Sequence, residues 1–321
     1  LDFSFIRFGF FFARTTDRLG KGIRTGSRDA ILSDEATPET KGKVFGFHRS
    51  LDTFGAVLGP ILALLYLYAY PQDYRTLFFI AFIPGLIAVL ASLHLKERRH
   101  LTPTAKNATQ FFSFLFYWKK SPSLYRRVVI GLLAFTLFNS SDVFLLLKAK
   151  ESDISDTAVI GIYIFYNLVY AVFAFPAGIV ADRFSLKKVF IIGLALFATV
   201  YFGMSINESV YIYFGLFFLY GVYGAATEGI SKAWISNIVD KKDTATAIGM
   251  YSGFQSICTM LASSFAGLIW YCYGATTIFI TTGIAALLVI FYLSIAVKEP
   301  TLRYAQHHNN TIVLDNTETR L

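Results

Sequence analysis

Five charged side chains, Arg14, Asp17, Lys21, Arg24 and Arg28, recur at steps of three and four residues, the spacing that aligns side chains in one stripe along a helix. Four of them are cationic, so a stripe beside a watery path would attract an organic phosphate or carboxylate by direct charge pairing. The same residues could instead form an ion-pair network. In that arrangement Asp17 pairs with Lys21 on its own helix, while His48 and Asp52, four apart and so on one face, neutralise arginines across the helix interface. Both roles stay open, because intramembrane charges serve either purpose and can serve both.

Further along, Asn139, Ser140, Ser141, Asp142, Asn167 and Glu228 place polar groups inside apolar runs. Asn139, Asp142 and Asn167 join the basic stripe as candidate substrate ligands. A carboxylate held away from bulk water can take up and release a proton, which makes Asp142 and Glu228 candidate proton carriers beside His48 and Asp52. For the Asn and Ser residues, helix capping or interhelical hydrogen bonding is the competing role. Tyr163, Tyr166 and Tyr170 share one helix face by their spacing, and Tyr220 and Tyr223 share another. Such tyrosines line cavities or face lipid.

The elements that must position these groups follow from composition. Of 321 residues, 55% are hydrophobic and 16% charged, with a mean hydropathy of +0.53; a soluble domain carries roughly a quarter charged residues. This excludes an ordinary soluble enzyme, a disordered chain and a disulfide framework. Cys258 and Cys272 fall in or at the end of one apolar run and read as small buried hydrophobes. Apolar stretches long enough to cross a bilayer occur at 5–33, 44–68, 75–95, 126–147, 157–181, 189–205, 210–236, 246–271 and 275–297, predicting nine spans in an all-α polytopic membrane protein.

The net charge of +8 marks membrane sidedness rather than nucleic-acid binding. Basic residues gather in alternate connections: Lys41 and Lys43, the stretch from Lys96 to Arg127, Arg183 with Lys187 and Lys188, Lys232 with Lys241 and Lys242, and Lys298 onward. The opposite connections hold only Arg75, Lys148 and Lys150. The positive-inside rule then places the C-terminus in the cytoplasm and the N-terminus outside. An odd number of spans starting at Leu1 predicts a fragment that lacks N-terminal helices. Residues 96–125 form the expected cytoplasmic boundary between the rest of an N-terminal bundle, 1–95, and a six-helix bundle, 126–297, followed by a polar tail, 298–321.

A shift of 203 positions lays Gly26, Ala30, Ser33, Gly46 and Leu58 on Gly229, Ala233, Ser236, Gly249 and Leu261 without a gap, as two homologous halves would. These residues resemble the major facilitator superfamily of secondary transporters. Arg14, Asp17, Gly20 and Gly22 resemble its fourth-helix pattern, and Asp34, Pro38 and Gly42 its turn into the fifth helix. Gly55, Gly59 and Pro60 resemble the Gly-x-x-x-Gly-Pro motif associated with antiporters. Gly178, Asp182, Arg183, Lys187 and Lys188 resemble the gating loop between the eighth and ninth helices, although Ser185 stands where the family usually has glycine and Leu186 at a usually basic position. The likeness covers nearly the whole chain and implies helices four to twelve of a twelve-helix bundle.

From the residues alone, Gly55 and Gly59 follow the small-xxx-small rule for close helix packing and Pro60 permits a bend. Gly20, Gly22 and Gly26 are packing glycines, since Gly-Lys-Gly without phosphate-loop spacing is a weak nucleotide signal. The expected activity is non-enzymatic: proton-coupled transport of a small solute by alternating access, with export of an organic anion or drug-like compound. It calls for no cofactor and no metal. The expected partners are the lipid bilayer, the solute and protons, with no nucleic acid, and the expected setting is a monomer in a bacterial inner membrane. A membrane-embedded enzyme acting on a phosphate-bearing lipid head group is the alternative, and would need an acidic or histidine metal cluster that the sequence does not offer.

Overall fold

A computed structural model describes residues 25–26, 28–93, 113–152, 154–206 and 209–297. Residues 28–34 are helical (α1). They are followed by α2 (Lys41–Ala69), α3 (Tyr74–Leu93), α4 (Ser113–Lys120), α5 (Ser123–Phe138), α6 (Val143–Glu151), α7 (Asp156–Phe184), α8 (Leu186–Ile206), α9 (Val210–Asn237), α10 (Thr244–Tyr273) and α11 (Ala275–Ala296). Among the described residues eight stretches are long and apolar enough to cross a membrane, and a lipid-spanning backbone must satisfy its hydrogen bonds within each segment, which helices do. The expected first span, 5–33, lies mostly outside the described residues.

Local chemistry sets the boundaries. Ser155 starts α7 by accepting a hydrogen bond from Ala158 N at 3.3 Å, and Ser185 Oγ accepts from Lys188 N at 3.1 Å where α8 begins, as N-cap residues do. The α10–α11 turn uses Gly274 at φ 82°, a conformation open to residues without a Cβ. Pro60, Pro84 and Pro176 sit within α2, α3 and α7, each removing a backbone donor and permitting a bend.

The expected span at 126–147 falls within one stretch long and apolar enough to cross, Ser123–Glu151, but it is a broken helix: α5 ends at Phe138 and α6 begins at Val143, with Asn139 to Asp142 between them. The cause is a run of four residues whose short polar side chains compete for backbone groups. Ser141 Oγ accepts from Val143 N at 3.4 Å, and Ser140 N turns back to Phe138 O at 3.1 Å. The inter-bundle connection also differs from a plain loop, because its last part forms α4, which packs on α10. Burial, with Asp243 and Asp240 nearby, pushes the Tyr117 phenol of α4 up to about 12.

Packing centres on α7, α8 and α9. Helix α2 lies along α7, α7 and α8 flank α9, and α11 packs on α8 and α5. Tyr125, Tyr201, Tyr213, Phe197, Phe217 and Phe279 are fully buried among them. Helix α3 buries none of its apolar stretch, the pattern of a helix facing lipid.

Candidate functional site

The N-terminus of α2 meets the C-termini of two other helices. Its first turn has free backbone N–H groups and a partial positive charge, and Thr40, just ahead of it, supplies no side-chain cap. Asp182, near the end of α7, takes that place: Gly42 N and Lys43 N donate to its two carboxylate oxygens, each at 2.7 Å. Lys41 Nζ donates to Ser236 O at 2.5 Å, placing a cation at the negative end of α9. Asn237 Nδ2 donates to Pro38 O at 3.0 Å, and Ser50 Oγ to Ala171 O at 2.5 Å.

Glycines allow this approach. A Cβ added to Gly42 would lie 2.6 Å from Gly178 O, and one on Gly46 would lie 2.5 Å from Ala174 O. One on Gly178 would overlap Gly42 O. Gly42-x-x-x-Gly46 is thus a small-xxx-small seam that the sequence reading did not single out for packing.

Beside the seam lies a charged cluster. Asp29, 1% exposed, accepts from Arg28 Nε at 3.2 Å and from Lys232 Nζ at 2.5 Å. This corrects the placement of Lys232 with the cytoplasmic connection: its side chain, 6% exposed, is an intrahelical residue of α9 with a buried partner. Arg49 Nη1 lies 3.3 Å from Asp52 and 3.4 Å from Glu228. Of the expected pairing of His48 and Asp52 with arginines across the interface, the part that falls on Arg14 and Arg24 lies outside the described residues. Among the described residues Asp52 binds an arginine one turn earlier on its own helix, Glu228 supplies the contact across the interface, and His48 Nε2 is buried without a hydrogen-bond partner.

Asp29 and Lys232 are 203 positions apart, the same shift that superposes the two halves of the sequence. Neighbouring contacts are reciprocal under it. A Cβ on Gly26 would meet Gly249 Cα at 3.4 Å, and one on Gly229, the counterpart of Gly26, would meet Phe45 O at 3.2 Å, beside Gly46, the counterpart of Gly249. Reciprocal contacts define a twofold-like interface. A residue in contact with its own counterpart lies on the axis, so the Asp29–Lys232 pair marks it.

On the far side of Glu228 a cavity of about 330 Å³ opens between α5, the α5–α6 break, α7, α8, α9 and α10. Asp142 and Glu228 line it, with Asn139, Asn167 and the tyrosines 163, 166, 170, 220, 223 and 251. Among the described residues no Lys, Arg or His does. Tyr166 O–H donates to Asp142 Oδ2 and Ser141 O–H to its Oδ1 at 3.3 Å. Asn139 Nδ2 donates to Tyr223 OH at 2.9 Å, while its Oδ1 is buried and has no partner among the described residues. Asn167 Nδ2 bonds back to Tyr163 O at 2.9 Å.

The Major Facilitator Superfamily profile matches residues 3–161 and, separately, residues 143–311. The chain belongs to the major facilitator superfamily. It is 33% identical to an uncharacterized MFS-type transporter of Methanocaldococcus jannaschii over 260 residues, 79% of this chain and 64% of that protein. An uncharacterized transporter of Buchnera aphidicola is 28% identical over 132 residues, 40% of this chain and 33% of the other. The crystal structure of the human organic anion transporter MFSD10 shares the fold, with a TM-score of 0.59 and 16% identity over 83% of this chain and 66% of that one. The chain thus spans about two thirds, or less, of the length of the relatives it matches.

Within this superfamily fold the motif residues separate. Gly178 and Asp182 belong to the α2–α7 seam, whereas Arg183 is exposed. Pro60 lines an apolar crevice with Leu146, Val159 and Tyr163. Among the described residues nothing comes within 4 Å of a Cβ at Gly55 or Gly59. Of the basic stripe, Arg28 joins the Asp29 cluster, and Arg14, Asp17, Lys21 and Arg24 lie outside the described residues, as do Gly20 and Gly22. Asp29, Arg49 and Lys232 were missed as site residues; the Asp29–Lys232 signal lay in the repeat itself, which aligns an acid with an amine.

Proposed function

We infer that the protein is a proton-coupled secondary transporter that moves a small drug-like organic solute across the membrane by alternating access. The observation that carries this reading is a cavity lined by two carboxylates, Asp142 and Glu228, beside a seam where three helix ends meet through bonds that can part as units. Opening the seam exposes the cavity on that side, and remaking it leaves the other side to open. The positive-inside pattern supports a cytoplasmic location for the seam, and the likeness of Gly55, Gly59 and Pro60 to an antiporter motif supports export.

Glu228 offers a route for coupling. Ionised, it holds Arg49 across the interface at 3.4 Å; protonated, it releases Arg49 to Asp52 alone. Proton and solute then alter each other's affinity through the same helix positions, as linkage requires. Superfamily membership favours transport over the lipid head-group enzyme. A monomer in a bacterial inner membrane completes the reading.

The test is transport by the full protein in proteoliposomes with an imposed pH gradient and a panel of organic solutes. Solute-dependent collapse of the gradient, reduced at least tenfold by Glu228→Gln or Asp142→Asn, is expected. Solute flux that ignores the gradient in the unaltered protein sinks the coupling. An organic anion is the second reading, favoured by the Arg14 to Arg28 stripe and by what MFSD10 carries; Arg24→Gln and Arg28→Gln abolish transport if it holds and leave transport normal if it does not.

A further inference from the structure

We propose that the cavity at the α5–α6 break is a binding site for a protonated amine on an aromatic or aliphatic body. The site deepens the transporter reading and rests on it for its role in transport, but its chemistry stands on the geometry of one carboxylate. Each acid of the charged cluster beside the seam has an opposite charge next to it: Asp29 has Lys232 and Arg28, and Glu228 and Asp52 share Arg49. Among the described residues Asp142 has only neutral donors, the hydroxyls of Tyr166 and Ser141, and no cation lies within ion-pair distance.

The half-helix ends do not supply the missing charge. The partial positive end of α6 lies next to Asp142 and the partial negative end of α5 lies across the same break, and neither amounts to a full charge. Discontinuous helices in a membrane bundle place such ends at ligand sites. What remains is the full charge of Asp142, half-buried in a cavity with no lysine, arginine or histidine on its described wall. A carboxylate so placed calls for a counter-ion, and here that counter-ion is the solute.

The remaining wall fits the rest of such a molecule. Tyr163, Tyr166, Tyr220 and Tyr223 form a continuous aromatic surface with successive ring centroids 5.5, 5.4 and 5.3 Å apart, and ring faces attract cations while ring edges and bodies cover apolar groups. The orphaned Asn139 Oδ1 accepts a second N–H. That acceptor distinguishes an amine, which carries N–H donors, from a quaternary ammonium, which carries none.

The experiment measures equilibrium binding of three probes with a similar body and different heads to the full chain in lipid nanodiscs: 2-phenylethylamine, 2-phenylethanol and 3-phenylpropionate. The amine is expected to bind at least tenfold more tightly than either other probe. Asp142→Asn should remove that preference, and Asn139→Leu should weaken amine binding severalfold while leaving a quaternary analogue, trimethyl(2-phenylethyl)ammonium, unchanged. A preference for 3-phenylpropionate, binding by none of the probes, or an amine preference that survives Asp142→Asn in a folded protein overturns the site. If the amine binds as expected yet is not moved in proteoliposomes, the site stands and its transport role falls; if another solute is moved while the amine does not bind, the site falls and transport stands.

Discussion

Lys232 and Asp142 are both ionisable residues set among membrane helices, yet their surroundings are opposite. Lys232 is enclosed by the seam and matched by Asp29 at 2.5 Å. Asp142 opens onto a cavity and, among the described residues, is met only by hydroxyls. The seam uses charge to hold helices together, each cation and helix end finding its complement within the protein. The cavity leaves one charge unmatched and surrounds it with rings. The difference separates wiring from recognition, since a fully compensated charge has nothing left for a ligand.

The comparison is open to attack at four points. The largest effect is expected at the axis pair: Asp29→Asn leaves Lys232 a lone buried charge, costing about 3–5 kcal/mol, and Lys232→Met costs less because Asp29 keeps Arg28. Thermal melting of the purified protein should show this, and the double variant should lose clearly less than the sum of the two. Additive losses would mean the pair is not coupled. Next, Gly178→Ala drives a methyl onto Gly42 O and should cost about 1–3 kcal/mol of the closed seam. The measurement is faster maleimide labelling of a cysteine placed at Ala174, which is 2% exposed, with Cys258 and Cys272 replaced by serine.

Asp182→Asn keeps one acceptor for the first turn of α2 but removes the charge, so about 1 kcal/mol is expected, roughly a fivefold gain in labelling of the same cysteine. An unchanged rate would show that the helix-end charge contributes nothing to closure. The smallest stability effect belongs to Tyr166→Phe, about 1 kcal/mol or less, because Asp142 keeps the Ser141 hydroxyl and borders a cavity large enough for water. If this variant melts as low as Lys232→Met, the cavity is structural wiring too, and the contrast between the regions collapses.

Hydropathy made the spans legible because a bilayer crossing needs about twenty apolar residues whatever surrounds it. The same averaging hid the break at Asn139 to Asp142, where four polar residues sit inside an otherwise apolar window. Asp142 and Glu228 were visible as rare carboxylates in apolar runs, and the tyrosine faces were visible from spacing. Which charges are matched was not visible, because Asp29 and Lys232 meet only through tertiary packing. Lys232 was read with the basic connection it adjoins, a one-dimensional rule applied to a residue whose partner is 203 positions away. Gly42 was read by motif and Gly46 by the repeat, while their role depends on a helix they touch 136 and 128 residues later.

The position of Asp29 and Lys232 on the twofold-like axis has a consequence for assembly. A residue there always faces its own equivalent, so two identical halves would set acid against acid or amine against amine at hydrogen-bond distance. Opposite signs make the contact exclusive: either half repels a second copy of itself at the centre and attracts the other. The pair therefore acts as a lock and key between halves, and the two bundles, supplied as separate polypeptides, would sort into mixed pairs rather than matched ones.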